Sequence, residues 1–207
     1  NELSTVIGFP DVMLQDRSLS PQHRRMLEKI RSSGYKLLNM INLGLQLHKM
    51  EHGLYCFEPA EVDVSTVIHS ILEHKDGLSK TKSIEVRLTH SGLPMENGAR
   101  FSVQGEEFLL YSMLSNLIIN ALEASPRGGR VTIDLRKGQE ATISIHNEGA
   151  IPEEIRDRFF GKYVTAGKVL GTGLGAYSAL LMARTLGGII DMKTSQEEGT
   201  TLTVRLP

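Results

Sequence analysis

The stretch N-L-I-I-N-A-L-E-A-S, residues 116–125, decides how this chain is interpreted. It lies in an apolar run that starts near Phe108, and its two asparagines are four residues apart. In a helix this spacing puts Asn116 and Asn120 on the same face. Such a pair is either a hydrogen-bonded pair in the core or a site that faces a phosphate and a hydrated cation, because an amide oxygen is a hard donor that suits magnesium. Taken alone, the two residues leave both alternatives open.

Length and composition exclude several classes of protein. The 207 residues suffice for one domain and a smaller module, and the net charge of -1 gives no electrostatic argument for nucleic acid or an anionic membrane as partner. The single Cys56 excludes an internal disulfide, and no Cys/His cluster has zinc spacing. No apolar run approaches the roughly 20 residues that span a bilayer. With no secretory signal and a first residue other than Met, we expect a cytoplasmic fragment of a longer protein.

Residues 1–53 are predicted to form a helical hairpin. Pro10 should kink the first helix, residues 1–17, and Ser20-Pro21 should start a second helix that runs to about Glu51. The second helix has the alternating spacing of three and four that is typical of a coiled-coil seam, with Leu27, Ile30, Leu37, Ile41 and Leu45. The apolar stripe is too wide for one hairpin to bury. We therefore expect a four-helix bundle with a second copy, or packing against the C-terminal domain.

Residues 54–63 are predicted to be a linker, with a possible short strand at Leu54–Phe57, and residues 64–207 a second domain. In this domain, strands are predicted at 84–88, 131–135, 141–145, 189–192 and 200–206. Helices are predicted at 64–78, around the opening stretch, at 152–160 and at 174–186. This pattern indicates an α/β sandwich with helices on one face of a mixed sheet. The fold class expected for the whole chain is α+β.

Two further stretches have the composition of ligand-binding loops. Gly171-Thr172-Gly173-Leu174-Gly175 opens a predicted helix, where glycines admit a ligand close to the backbone and free N–H groups suit a phosphate. A flexible loop would have the same composition, and the loop of about a dozen residues before it resembles a lid. Asn147-Glu148-Gly149 ends an alternating strand, where a short polar side chain could contact a purine amino group or be an ordinary turn residue.

In this order and spacing, the stretches resemble the ATP-binding domain of histidine kinases, within the larger gyrase/Hsp90/kinase/MutL superfamily. Asn116–Ala121 resembles the asparagine box of that domain and Asn147-Glu148-Gly149 its first glycine box. The other corresponding stretches are Arg158-Phe159-Phe160 for the phenylalanine box, Gly171–Gly175 for the second glycine box, and Gly199-Thr200 near the last strand. The resemblance covers roughly residues 60–207.

The resemblance implies ATP and Mg²⁺ as ligands. Asn120 would ligate the magnesium that bridges the phosphates, and Asn116 would assist there in catalysis. Asn147 would face adenine, with Gly149 lining its pocket. The lid, from Gly161 to Gly173, would bring Lys162, Thr165 or Lys168 near the phosphates. The remaining residues expected to bind the nucleotide are Gly171, Thr172, Gly173, Leu174, Gly175 and Thr200.

The first glycine box departs from the family pattern in two ways. Asn147 stands where the family usually carries Asp. Its amide oxygen can still accept from the adenine amino group, but without charge assistance the affinity should be lower. Ala150 stands where a further glycine is expected. We therefore expect nucleotide binding that is weaker than usual for the family.

Residue 116 favours the kinases over the related ATPases. The ATPases resemble one another in placing a glutamate there as general base for water, and Asn116 cannot take up a proton at neutral pH. Phosphoryl transfer to a protein side chain therefore fits better than hydrolysis. The alternatives are an ATPase that works as a conformational machine, and a degenerate phosphotransfer scaffold that has lost ATP.

The hairpin resembles the dimerisation and phosphoacceptor module of the same kinases, whose first helix carries a motif such as H-E-L-R-T-P-L or H-D-L-K-N-x-L. One alignment puts Asn1 in place of the phosphoacceptor histidine. The preferred alignment puts Asn1 four residues after that histidine, so that Leu3, Ile7 and Gly8-Phe9 match the family. The histidine would then precede Asn1, and Asn1 would position water for dephosphorylating the partner. The implied partners are a second copy of the chain, a response-regulator receiver domain and an upstream sensor domain.

Overall fold

A computed structural model describes residues 2–96, 98–165 and 172–207, without the side chains of Glu2, Lys75 and Asp76. The chain divides into two compact units, Asn1–Tyr55 and Cys56–Pro207. Within the described residues, every helix is too short or too polar to cross a membrane.

The first unit is the predicted hairpin of α1 (Glu2–Met13) and α2 (Pro21–Glu51). Ser20 caps α2, since its side chain accepts a hydrogen bond from the His23 backbone N at 3.2 Å. Arg24 closes the turn by donating to the backbone oxygens of Leu14 and Asp16, each at 3.0 Å. α1 ends at Met13, four residues before its predicted end at residue 17. The contacts of Arg24 lie in the turn that follows.

Close packing of the two helices depends on Gly34. A Cβ atom at this position would lie 2.8 Å from Ile7 Cγ1, so only glycine lets the helices approach this far. Much of the predicted seam remains exposed in the single chain. The exposed apolar residues of the hairpin are Val6, Phe9, Val12, Met13, Met26, Ile30, Tyr35, Leu37, Met40, Ile41 and Leu45.

The second unit is a mixed sheet covered by helices. Its elements are β1 (Ala60–Asp63), α3 (Val64–Lys82), β2 (Glu85–His90), β3 (Leu93–Pro94), β4 (Ser102–Gly105), α4 (Glu107–Ala124), β5 (Arg130–Lys137), β6 (Ala141–Asn147), α5 (Glu153–Arg156), α6 (Gly175–Thr185), β7 (Ile189–Ser195) and β8 (Gly199–Leu206). Six strands form one sheet in the order β3-β2-β5-β6-β8-β7, in which β2 and β5 are parallel and the other neighbours antiparallel. β1 and β4 form a separate antiparallel ribbon.

The predicted α+β class and the mixed sheet are confirmed. α4 packs on β6, α6 packs on β7, and α3 packs on α4. The core of this unit is built on α4, where seven large side chains are fully buried: Leu109, Leu110, Met113, Leu114, Leu117, Ile118 and Leu122. β6 shows the expected alternation, with Ala141, Ile143 and Ile145 buried and the residues between them half-buried.

Three strands were not predicted, and one predicted strand is wrong. Residues 54–57 are not a strand. Residues 60–63, assigned to a linker from the sequence, form β1 and pair with β4. β1, β3 and β4 have two to four residues each, which is too short for an alternating pattern to show. Their pairing is decided by contacts distant in sequence.

Candidate nucleotide-binding site

A cavity of about 600 Å³ opens in the second unit. Its walls come from α4, from the segment after β6, from the start of α6 and from β8. Eight residues predicted to bind the nucleotide line it: Asn116, Asn120, Asn147, Thr165, Thr172, Gly173, Gly175 and Thr200. The structure therefore brings together residues from four stretches that are far apart in the sequence.

The two asparagines of α4 meet the first turn of α6. Asn116 Nδ2 donates to Ser178 Oγ at 3.0 Å, and Ser178 Oγ donates to the Gly175 backbone oxygen at 3.0 Å. A Cβ atom at Gly175 would lie 3.7 Å both from Asn116 Oδ1 and from Asn120 Nδ2. Both side chains are half-buried on the cavity wall, while Leu117 and Ile118 between them are fully buried. The pair is therefore part of the cavity wall and not of the core.

The start of α6 depends on Gly173, which has a φ of +66°. A Cβ atom there would lie 2.4 Å from the Tyr163 carbonyl carbon, so a side chain would collide with the backbone at the start of the lid. The Leu174 backbone N donates to Thr172 Oγ1 at 3.4 Å. The first N–H groups of a helix have no partner within the helix, so this start can bind an anion.

The opposite part of the cavity combines an apolar surface with one buried amide. Asn147 is 4% exposed, and its Nδ2 donates to the Gly149 backbone oxygen at 3.0 Å. Thr200 Oγ1 donates to the same oxygen at 2.7 Å. The apolar residues around them were not predicted from the sequence, apart from Phe159: Ile119, Ala150, Ile151, Pro152, Ile155, Phe159, Val164 and Leu202. A flat, mostly apolar ring with one polar edge fits such a surface.

Gly149 does not itself line the cavity, but it has no room for a side chain. A Cβ atom there would lie 2.2 Å from the backbone oxygen of Ala124, at the end of α4. The loop after β6 therefore packs directly on the end of α4, beside the cavity.

Two further predicted residues, Lys162 and Leu174, do not line the cavity. Lys162 Nζ lies 5.0 Å from the centre of the Tyr177 ring, in a cation–π contact. Leu174 is the N-cap residue of α6. Asn1, Lys168 and Gly171 lie outside the described residues.

Sequence reasoning missed Lys82, which lines the cavity from the end of α3. Its Nζ donates to the backbone oxygens of Leu122, Glu123 and Ser125 at 3.2, 2.6 and 3.0 Å. Lys82 thus caps the last turn of α4, where carbonyls lack helical partners. No local signal identifies it, because its acceptors are 40 to 43 residues away.

The cavity residues fit a nucleotide that binds as a complex with a metal ion. The described residues contain no group of three or more His, Cys, Asp or Glu side chains able to hold a metal ion. A magnesium ion here would therefore be held by amide oxygen together with phosphates and water, which is common for this cation. Asn116 and Asn120 supply such amides beside the helix start.

Comparisons with known proteins agree with this geometry. Residues 105–207 match the family model "Histidine kinase-, DNA gyrase B-, and HSP90-like ATPase". The chain is 28% identical to "Histidine protein kinase DivJ" of Caulobacter vibrioides, over 99% of the chain and 35% of that protein. It is 26% identical to "Sensor-like histidine kinase SenX3" of Mycobacterium tuberculosis, over 100% of the chain and 52% of that protein.

Solved structures share the fold. The chain matches "ShkA full-length in complex with AMPPNP" with a TM-score of 0.79 at 21% identity, covering 100% of this chain and 43% of that one. It matches "Mycobacterial sensor histidine kinase MprB" with a TM-score of 0.60 at 26% identity, covering 72% and 97% of the two chains.

The fold and cavity thus define a nucleotide-binding domain of the histidine kinase, gyrase B and HSP90 class, preceded by a helical hairpin. Within that class, the chain is similar along nearly its whole length to proteins named as histidine kinases, and it shares the fold of solved histidine-kinase structures. It spans between about a third and a half of the length of the relatives named above.

Proposed function

We propose that this chain is the catalytic core of an ATP-dependent histidine protein kinase in a two-component signalling system. The γ-phosphoryl group of ATP would pass to a histidine on the hairpin module and then to an aspartate of a response-regulator receiver domain. The observation that carries the proposal is the meeting of Asn116 and Asn120 with the start of α6, on the wall of a cavity whose other part is apolar around Asn147. The relatives named as histidine kinases support it.

In this proposal, residues in different parts of the cavity bind different parts of the nucleotide. Asn147 and the apolar residues would hold the base, and the start of α6 would hold the phosphates. Asn120 would bind Mg²⁺, which neutralises charge on the transferring phosphoryl group when it is bound. Asn116 is held by Ser178 and cannot act as a base, so it would orient the phosphates without activating water. Catalysis would come mainly from positioning and charge neutralisation.

The lid residues have different roles in this proposal. Thr165 and Thr172 already line the cavity and would contact the phosphates. Lys162 would have to leave the Tyr177 ring to do so. Lys168 and Gly171 keep the roles that the family resemblance implies.

The hairpin would join two copies of the chain. Its exposed apolar residues form the surface that a four-helix bundle would bury. The receiver domain would dock near α1, and a sensor domain would precede the hairpin in the longer protein. By the preferred alignment the acceptor histidine precedes Asn1, and Asn1 would serve dephosphorylation of the receiver. Because ATP is the phosphoryl donor, we place this core in the cytoplasm.

Calorimetric titration with ADP in the presence and absence of Mg²⁺ tests the binding step. We expect saturable, magnesium-dependent binding by the wild type, and at least about tenfold weaker binding by Asn120→Ala, because a metal ligand is lost. Asn39→Ala, at an exposed position of α2, is the control and should bind like the wild type.

Two outcomes would contradict the kinase proposal. A folded wild type that binds no nucleotide would favour the degenerate scaffold. Steady phosphate release from ATP that disappears in Asn116→Ala would favour the ATPase. Acid-labile, base-stable labelling of this chain by ATP would instead show that the acceptor does not lie before Asn1.

A further inference from the structure

A second cavity, of about 390 Å³, lies in the same unit as the candidate nucleotide-binding cavity. Its lining comes from α3, from the start of β2 and from one residue of α4. The described residues that line it are all different from those that line the first cavity. Small-molecule sites range from about 300 to 1,000 Å³, so a cavity of this size suits a small ligand.

The second cavity combines a mostly buried apolar surface with a polar rim. Its apolar residues are Leu72, Ile84, Val86 and Leu122, of which Leu122 is 1% exposed and Ile84 8%. The polar rim is formed by Ser79, Lys80 and Ser83, where α3 ends. Among the described residues of the lining, Lys80 alone carries a charge. The lining therefore fits a molecule with an apolar body and a single anionic head.

The polar rim is held by the tight turn from α3 into β2. Ser83 has a φ of +54°, which reverses the chain at the end of the helix. The backbone N of Ser83 donates to the Lys80 oxygen at 3.1 Å, and the backbone N of Ile84 donates to the Ser79 oxygen at 2.9 Å. The three polar residues of the cavity thus belong to one hydrogen-bonded turn.

The last turn of α4 contributes to both cavities. The Leu122 side chain lines the second cavity, while the adjacent Ala121, Glu123 and Ala124 line the first. Lys82, at the end of α3, also lines the first cavity, and its Nζ donates to the Leu122 backbone oxygen at 3.2 Å. The end of α3 therefore reaches both cavities, the second through its polar rim and the first through Lys82.

We propose that the second cavity binds a small amphipathic carboxylate, and that its occupation strengthens nucleotide binding through Lys82. The effect on the nucleotide rests on the proposed function. The carboxylate head binds at Lys80 and the Ser83 hydroxyl, and the apolar body lies against Leu122. An occupied cavity holds the end of α3 where Lys82 caps α4, so nucleotide binding loses less conformational entropy.

Hexanoate and hexylammonium are matched probes, because they share an apolar chain and carry opposite charges. NMR spectra of the whole chain, labelled at the Leu and Val methyl groups, should show hexanoate-dependent shifts at Leu72, Val86 and Leu122. Leu45 of the hairpin should not shift. Hexylammonium should bind at least about threefold more weakly than hexanoate, since its charge has the same sign as that of Lys80.

Lys80→Gln tests the charge of the rim. The substitution keeps a polar side chain at an exposed position, and hexanoate should bind at least about threefold more weakly because the charge-assisted contact is lost. Lys193→Gln, at an exposed position of β7, is the matched control and should bind hexanoate like the wild type. A Lys80→Gln variant with wild-type hexanoate affinity would overturn the anion site.

Calorimetric titration with ADP and Mg²⁺ measures the coupling between the cavities. At saturating hexanoate, we expect the wild type to bind ADP about fivefold more tightly, and saturating ADP should tighten hexanoate binding by the same factor. Lys82→Met should keep the hexanoate-dependent methyl shifts and lose the gain in ADP affinity.

The possible failures are distinguishable. A folded wild type that shows the methyl shifts but binds no ADP would overturn the proposed function. Shifts that are absent or confined to the hairpin, or hexylammonium binding as tight as that of hexanoate, would overturn the second cavity as an anion site. An ADP affinity that hexanoate leaves unchanged or lowers, or a gain that persists in Lys82→Met, would overturn the coupling through Lys82.

Discussion

Two amide side chains on α4 show which properties of a residue follow from its position in the sequence and which depend on the fold. The spacing of Asn116 and Asn120 predicted a shared face, and the structure has both on one wall of the cavity. The partner of Asn116 is Ser178, which is 62 residues later and has no recognisable motif. The same limit applies to Asn147: its side chain donates to the Gly149 backbone oxygen, which also accepts from Thr200 on another strand.

A different single side chain, Asp134 on β5, should make the stability of the second unit depend on pH. Partial burial raises the pKa of Asp134, but hydrogen bonds from Thr89, Arg136 and the Gly92 N–H outweigh it and hold the pKa below its ordinary value. The folded state therefore binds the proton more weakly than the unfolded chain. Its contribution is complete above the ordinary pKa of about 4 and is lost as the pH falls through the lowered value.

Asp134→Asn should reveal this contribution. At pH 7 we expect the free energy of unfolding to fall by about 1–3 kcal/mol, because the buried hydroxyl and N–H donors lose their ionised acceptor. The difference from the wild type should shrink as the pH is lowered below about 4. Urea unfolding at a series of pH values measures it, with Asp157→Asn at an exposed position as control. A difference that stays constant with pH would contradict the assignment.

Among the elements, α4 contributes most to the site, and its last turn is stabilised from outside the helix. Most of its apolar side chains form the core, Asn116 and Asn120 face the cavity, and its last turn packs against Gly149. That last turn has no basic residue of its own. The cation comes instead from Lys82 at the end of α3, which satisfies three carbonyl oxygens and supports one wall of the cavity.

Lys82→Met should therefore affect stability and nucleotide binding together. The substitution keeps most of the side-chain length but removes charge-assisted hydrogen bonds, so we expect a loss of about 1–3 kcal/mol in the free energy of unfolding. ADP affinity should fall as well, because Ala124 at the end of α4 supports Gly149. Thermal unfolding and calorimetry measure the two effects. Lys193→Met, at an exposed position of β7, should change neither; a Lys82→Met variant as stable as the wild type would disprove the capping role.

For the whole molecule, the chain divides into two compact units, and the proposal assigns assembly to the first and nucleotide binding to the second. The first unit exposes most of its apolar seam, and the second has its own core and its own cavity. A seam of this width is costly to leave in water, so a second copy is the economical partner.

Ile41→Glu should convert the dimer into a monomer, because a carboxylate would be buried in the bundle without a partner. Sedimentation of the whole chain at micromolar concentration should show the wild type as a dimer and the variant as a monomer. Asn39→Glu, also exposed on α2 but away from the seam, is the control and should remain dimeric. A monomeric wild type, or a variant that stays dimeric, would contradict the proposed bundle.

The sequence by itself determined the α+β class, the hairpin, the longer strands and eight of the residues that line the cavity, because long periodic segments and glycine-containing loops report local geometry. Only the tertiary structure decided the short strands β1, β3 and β4, the capping of α4 by Lys82, the apolar lining around Asn147 and the orientation of its amide. The physical reason is the same for all of them. Each depends on contacts between residues far apart in the chain, and such contacts leave no local pattern in a single sequence.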